Sequence, residues 1–111
     1  MSEIKKYTIE FLKALVDPAR LEILYILENE VLSSLEIQQK LERSQSTVSK
    51  HLGILIDNNL ISFKKKNKVK YYNIKNKDVF DLLKSINSIV VNNNKEKFKH
   101  IQDVDVYDTL T

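Results

Sequence analysis

The chain has 111 residues, 42% hydrophobic and 30% charged, with one glycine, one proline and no cysteine. That suffices for one globular domain with a modest core, and it leaves too little glycine for long flexible linkers or a phosphate-cradling loop. The missing cysteine excludes disulfides, thiolate metal sites and thiol redox chemistry, the apolar runs are too short to span a membrane, and the start MSEIKKYTIEF has no apolar signal core, so a cytoplasmic protein is expected.

Residues 3–15 place Ile4, Tyr7, Phe11, Leu12 and Leu15 at helical spacing, which predicts an amphipathic helix. Asp17-Pro18 then supplies an N-cap carboxylate followed by a proline at the first helical position, where its missing N–H costs nothing. A second helix is expected from Pro18 to about Glu28, burying Leu21, Leu24 and Leu27, with Ile23 and Tyr25 to one side. Ser33 to Glu36 has the form of a capping box and opens a third helix, SLEIQQKL, ending near Leu41. Only Glu42 and Arg43 separate that helix from Ser44, an N-cap for the stretch SQSTVSKHLGILIDNNLI. Two short helices joined by so tight a turn form a helix-turn-helix.

The fourth helix should end at Asp57-Asn58-Asn59, because asparagine tolerates the left-handed conformation that closes a helix. Leu60–Lys65 and Val69–Ile74 alternate apolar and polar residues and read as half-buried strands. Lys66-Asn67-Lys68 is the turn between them, with Asn67 at positive φ. Val31-Leu32 is a candidate third strand. From Asp78 to about Asn92 the apolar residues Val79, Leu82, Leu83, Ile86, Ile89 and Val90 make a helical stripe wide enough for two surfaces, a core and a partner chain. The segment KEKFKHIQDVDVYDTLT mixes helical and period-two spacing, so residues 93–111 are left as a C-terminal tail without assignment.

Two patterns carry chemistry. Between Lys40 and Lys77 there are ten Lys/Arg and two acids, Glu42 and Asp57, a net +8 against −5 for the remainder. A cationic patch on an acidic body is the footprint of a phosphate-contacting surface, since each neutralised phosphate releases counterions. The second pattern lies on the fourth helix. Val48, Leu52, Leu55 and Ile56 form its apolar side, whereas Ser46, Thr47, Ser49, Lys50 and Gly53 make a side of short hydroxyls, one cation and a missing side chain. A helix needing only solubility would display Glu, Lys and Gln there. Short side chains instead permit close approach to base edges, where Gln45 can pair with adenine and Lys50 with guanine or a phosphate.

Helices, a helix-turn-helix and a basic β-hairpin in this order make a mainly α protein with a small β-hairpin, a winged helix-turn-helix. Over residues 7–92 the chain resembles the arsenic-repressor-like (ArsR) family of dimeric transcription regulators. The residues that carry the resemblance are LVDPARLEILYIL, LSSLEIQQKL, SQSTVSKHLGILIDNNLI and the wing KKKNKVKYYNI. It implies one DNA-binding domain over residues 1–92, with a recognition helix that enters the major groove, a wing that touches flanking backbone, and first and last helices (3–15 and 78–92) that dimerise. Carried over by position, Ser44, Gln45, Ser46, Thr47, Ser49, Lys50 and Gly53 are the recognition-helix candidates. Lys64, Lys65, Lys66, Lys68 and Lys70 are the wing's phosphate contacts, and Ile4, Tyr7, Phe11, Leu82, Ile86, Ile89 and Val90 the dimer contacts. Glu42 stands where the family often has glycine, and Arg43 where it often has an apolar residue.

Many family members sense metals through cysteines or Asp/His pairs. Here the only histidines are His51 and His100, too few for a zinc site without several carboxylates. His51 is expected to pack or to meet a phosphate, and neither metal nor cofactor is expected. The predicted function is a sequence-specific, homodimeric repressor of transcription that binds double-stranded DNA in the nucleoid and occludes a promoter, without metal control. The alternatives are an architectural protein that coats DNA without sequence preference, and a winged-helix module whose basic hairpin binds an acidic protein. Nothing resembles a catalytic constellation, so no enzyme is expected.

Overall fold

A computed structural model describes residues 2–99. The elements are α1 (Glu3–Leu15), α2 (Pro18–Leu27), β1 (Leu32–Ser33), α3 (Ser34–Leu41), α4 (Gln45–Asp57), β2 (Ile61–Lys66), β3 (Val69–Ile74), α5 (Asp78–Asn93) and α6 (Lys95–Phe98). The chain divides into two compact units, Met1–Asn76 and Lys77–Thr111. His100 and most of the tail left without assignment lie outside the described residues.

The first unit is a winged helix-turn-helix, and capping side chains set most of its helix starts. Ser2 accepts from the Lys5 amide, Asp17 from the amides of Ala19 and Arg20, and Ser44 from Thr47. Ser33 and Glu36 complete a reciprocal capping box, at 2.9 Å from the Ser33 amide to Glu36 Oε1 and 3.2 Å from the Glu36 amide to Ser33 Oγ. The Ser33 amide, then its hydroxyl, hold the Glu36 carboxyl below its ordinary pKa. Ser33 is extended, at φ −77° and ψ 164°, so it serves both as the last residue of β1 and as the cap of α3. For that reason the short strand is Leu32–Ser33, one residue later than Val31-Leu32.

Leu24, Ile37 and Leu55 are fully buried, and Ile23, Val48 and Ile61 are only 1% exposed. In α2 the buried set is Ala19, Ile23, Leu24 and Leu27, while Leu21 is half-buried. The inward stripe therefore follows i, i+4, i+8 from Ala19 and not the i, i+3, i+6 spacing of Leu21, Leu24 and Leu27, which places Ile23 at the centre.

The three strands are antiparallel in the order β1-β3-β2. Leu32 pairs with Tyr72 and Ser33 with Tyr71, and the hairpin runs in register from Ile61↔Ile74 to Lys66↔Val69. Its loop has two residues, Asn67 at φ 53° and Lys68 at φ 68°, the double positive φ of a type I′ turn. The turn is one residue shorter than the sequence suggested, with Lys66 inside β2. The outer half of the hairpin is exposed, and Phe63 is 37% exposed where a half-buried position was expected. Phe63 instead packs against its own sheet, its ring centroid 5.8 Å from that of Tyr72 and Lys70 Nζ 4.6 Å from its centre.

In the second unit, α5 buries Val79, Phe80 and Leu83. Phe80 was outside the predicted stripe. Asp78 and Asp81 lie in the first turn, where their charge suits the helix dipole. Among the described residues no helix is long and apolar enough to cross a membrane.

The turn between α3 and α4 rests on a strained residue. Glu42 is left-handed at φ 53°, ψ 44°, and donates its amide to the Gln38 carbonyl, a closure that glycine makes without Cβ strain. Glu42→Gly is expected to stabilise the fold by roughly 0.5–1 kcal/mol, the relief of strain being partly offset by a freer unfolded chain. The urea midpoint should rise at unchanged m-value, and a fall would show that the Glu42 side chain is needed for the turn.

Candidate nucleic-acid interface

The surface of interest lies wholly in the first unit and is built from α4 and the hairpin. Burial of Val48, Leu52 and Leu55 at 1%, 2% and 0% exposure fixes which way α4 faces. Ser46, Ser49, Lys50 and Gly53, at i, i+3, i+4 and i+7, share its opposite side. Ser44, Gln45, Ser46, Ser49 and Lys50 are exposed, while Thr47 and Gly53 are half-buried. Ile56, expected on the apolar side, is also half-buried.

The hydroxyls are not equivalent. Ser44 Oγ accepts from the Thr47 amide at 3.3 Å, donates to Thr47 Oγ1 at 2.9 Å and lies 3.2 Å from Ser46 Oγ. These three side chains are already engaged in starting the helix. Among the described residues, no hydrogen bond or ion pair holds the side chains of Gln45, Ser49 or Lys50, so their donors and acceptors are available. Gly53 has no heavy atom within 4 Å of where a Cβ would stand. The protein itself therefore does not require glycine there.

A short staple joins this helix to the hairpin. The Leu60 amide donates to the Leu55 carbonyl at 3.0 Å, and the Lys75 amide to the Leu60 carbonyl at 3.0 Å. Asn59, left-handed at φ 57°, accepts from Lys75 Nζ at 2.9 Å. Lys64, Lys65, Lys66, Lys68 and Lys70 are all exposed, and among the described residues none of them forms an ion pair. Unpaired exposed ammonium groups remain free to meet phosphates.

The contact that sequence reasoning missed lies behind the hydroxyl face. His51 Nδ1 lies 3.0 Å from Arg20 Nη1, and its Nε2 lies 4.0 Å from Asp17 Oδ1. Arg20 also donates through Nε to the Ala14 carbonyl at 2.6 Å and through Nη2 to the Lys13 carbonyl at 3.1 Å. Burial of His51 pushes its pKa down, and Arg20, Lys50 and Arg43 add to this, against the opposing pull of Asp17. For Asp17 burial works upward, but the Arg20 amide and guanidinium, His51 and the Ala19 amide together hold its carboxyl below the ordinary value. Asp-Pro-x-Arg was legible as a helix start; that its arginine reaches a residue 31 positions away carried no local signal.

The residues expected at a dimer contact lie in different units. On α1, Ile4 is 78% and Tyr7 72% exposed, and Phe11 is half-buried. On α5, Leu82, Ile86, Ile89 and Val90 are exposed, Ile89 at 57%. Among the described residues no three His, Cys, Asp or Glu side chains converge as a metal site would require.

Residues 17–62 match the family described as bacterial regulatory protein, arsR family. The arsenical resistance operon repressor of Staphylococcus aureus is 30% identical over 94 residues, 85% of this chain and 90% of that protein. The protein of the same name from Bacillus subtilis (strain 168) is 38% identical over 81 residues, 72% and 76% of the two chains. Among solved structures, the transcriptional regulator HlyU from Vibrio vulnificus CMCP6 aligns with a TM-score of 0.64 at 33% identity, over 78% of this chain and 91% of that one.

Gly53 separates folding from surface. Because a Cβ there meets nothing, Gly53→Ala should stabilise the protein by about 0.5–1 kcal/mol through helix propensity alone. A thermal melt with an unchanged or lowered midpoint would show that this position is constrained from within.

Proposed function

The chain belongs to the arsR family of bacterial regulatory proteins, winged-helix transcription regulators and not enzymes, and on that premise we propose that it is a homodimeric, sequence-specific repressor that occludes a promoter and does not respond to metal. The observation that carries this reading is the exposed side of α4, where Gln45, Ser49 and Lys50 present side chains that no described residue engages. A protein that merely coats DNA would gain more from lysines at those positions.

In this reading α4 enters the major groove. Gln45 offers an amide to adenine, Lys50 a cation to guanine or phosphate, and Ser46 and Ser49 add short donors. Ser44 and Thr47 hold the helix entry in shape, and Gly53 keeps the surface low enough for close approach. Wing lysines Lys64, Lys65, Lys66, Lys68 and Lys70 meet flanking phosphates and supply affinity without sequence information. Two-fold symmetry would set two such helices about 34 Å apart, one turn of duplex, on a near-palindromic site. Ile4 and Tyr7 of α1, with Phe11 on the same helix, and separately Leu82, Ile86, Ile89 and Val90 of α5 are the apolar residues that each unit offers to a second copy. Repression is the reading supported by relatives named as operon repressors, and occlusion is how a bound dimer would achieve it.

The relatives named for arsenical resistance raise the question of an inducer. A soft ion of that kind calls for thiolates, and this chain has no cysteine. His51 is committed to Arg20 at 3.0 Å. In this reading release from DNA therefore uses a signal other than a thiophilic ion.

Duplex fragments selected from the source genome by the purified protein provide the probe. Gln45→Ala or Lys50→Ala should cost roughly 1–3 kcal/mol on the selected site and little on random duplex. Replacing the wing lysines should weaken both equally and flatten the salt dependence. An unchanged specific-to-random ratio in Gln45→Ala and Lys50→Ala would displace the reading face from α4. Separately, Ile89→Asp should lower the sedimentation mass of the dimer towards the monomer, because burying an unpaired carboxylate is costly; full dimerisation of that variant would remove Ile89 from the interface.

A further inference from the structure

The guanidinium of Arg20 is shared between the end of one helix and the middle of another. α1 ends at Leu15, which leaves the carbonyls of Lys13 and Ala14 among its orphan acceptors. Arg20 Nε and Nη2 satisfy both, at 2.6 and 3.1 Å. Guanidinium donors lie in one plane at fixed angles, so two bonds to α1 also fix where Nη1 points. It points at His51 Nδ1, 3.0 Å away on α4, and both side chains are only 12% exposed. His51 follows Lys50 directly in the chain.

Arginine has no acceptor and keeps its charge at any pH a protein survives, so the bond forms only when Nδ1 carries no proton. The imidazole must then be neutral with its hydrogen on Nε2, the nitrogen 4.0 Å from Asp17 Oδ1. Adding a proton to Nδ1 removes the acceptor and sets two cations against each other. We propose that Arg20 is a positioning residue that holds the reading helix through neutral His51, and that protonation of His51 releases this hold, so that acidification weakens sequence discrimination while sparing general DNA affinity. The inference rests on the reading of α4 given above.

The charged groups facing His51 act in both directions. Asp17, the cap of α2, favours the imidazolium; burial first, then Arg20 of α2, Lys50 of α4 and Arg43 of the preceding turn, disfavour it. Around its partner Arg20, Glu10 and Lys13 of α1 and Asp57 of α4 line the same cavity, and Lys13 and Glu10 pair with each other at 3.7 Å. An imidazole held below its ordinary value near 6.5 contributes fully above that pH, and the contribution is lost as the pH falls. Acidification therefore breaks the clamp and does not form it. A random-DNA complex loses nothing by this, because it draws on the exposed lysines and not on the angle at which α4 is held.

The test uses the full chain and compares duplex selected by the wild-type protein at pH 7.5 with random duplex, at pH 7.5 and pH 5.5, with circular dichroism confirming the fold at both. The specific-to-random ratio of the wild type should fall at pH 5.5 by up to about tenfold, the most that one group titrating no higher than about 6.5 gives one pH unit lower. His51→Asn, whose amide oxygen can accept from Arg20 but does not titrate, should hold a pH-independent ratio. Arg20→Lys, which cannot supply three fixed donors, should show a lowered ratio at both pH values with random-duplex affinity unchanged. Identical pH profiles for wild type and His51→Asn would overturn the proposal. Side-chain 15N spectra of the wild type, assigned with His100→Asn, decide the clamp independently of DNA. A neutral Nε2–H tautomer titrating below about 6.5 supports it, and a hydrogen on Nδ1 or titration above that value refutes it. A wild type that never discriminates between sequences while those spectra show the expected tautomer would sink the proposed repressor function and leave the Arg20–His51 bond standing.

Discussion

Everything on the side of α4 proposed to face DNA depends on the burial of Val48, Leu52 and Leu55 along the other side. Burying a side chain of that kind is worth roughly 1.5–3 kcal/mol, so turning the helix to expose all three would cost several kcal/mol. A single base contact returns about 1–3 kcal/mol. Core packing therefore sets the azimuth of the helix, and DNA can only meet what that azimuth presents. What it presents is Ser46, Ser49, Lys50 and Gly53, and the short side chains there cost the fold little, since none of them is needed inside.

Packing sets the rotation, but hydrogen bonds hold the two ends. The Ser44 cap and its hydroxyl chain through Thr47 fix the start, while the staple from Leu55 through Leu60 to Lys75 ties the end to the hairpin. Arg20 of α2 adds a third fastening, tying His51 to the carbonyls at the end of α1. Of these fastenings only the last depends on a histidine, whose pKa burial pushes below its ordinary value. The hairpin itself is lightly built. Its outer half carries five lysines, an exposed Phe63 and a tight turn at Asn67-Lys68. That suits a surface which binds by charge and has no need to read a sequence.

Family membership supplies the regulator's chemistry in outline, while the residues of this chain modify it. With no cysteine, the thiolate route to sensing is closed. The histidine on α4 is engaged by arginine. Protons are one signal open to a regulator with this equipment, and the Arg20–His51 contact is where the proposal above has them act.

The elements, their order and most boundaries were determined by the sequence because each depends on neighbours in the chain. Asp17-Pro18, the Ser33–Glu36 box, Ser44 and the asparagines at 59 and 67 act within four residues of themselves, and periodicity separated the two sides of α4 without any knowledge of tertiary contacts. Only the tertiary structure decided that Ile23 and not Leu21 lies at the centre of α2, that Phe63 is left outside, and that Arg20 closes on His51. Those outcomes depend on what another part of the chain places opposite, across separations such as the 31 residues between Arg20 and His51, and neither residue type nor helical period encodes that partner.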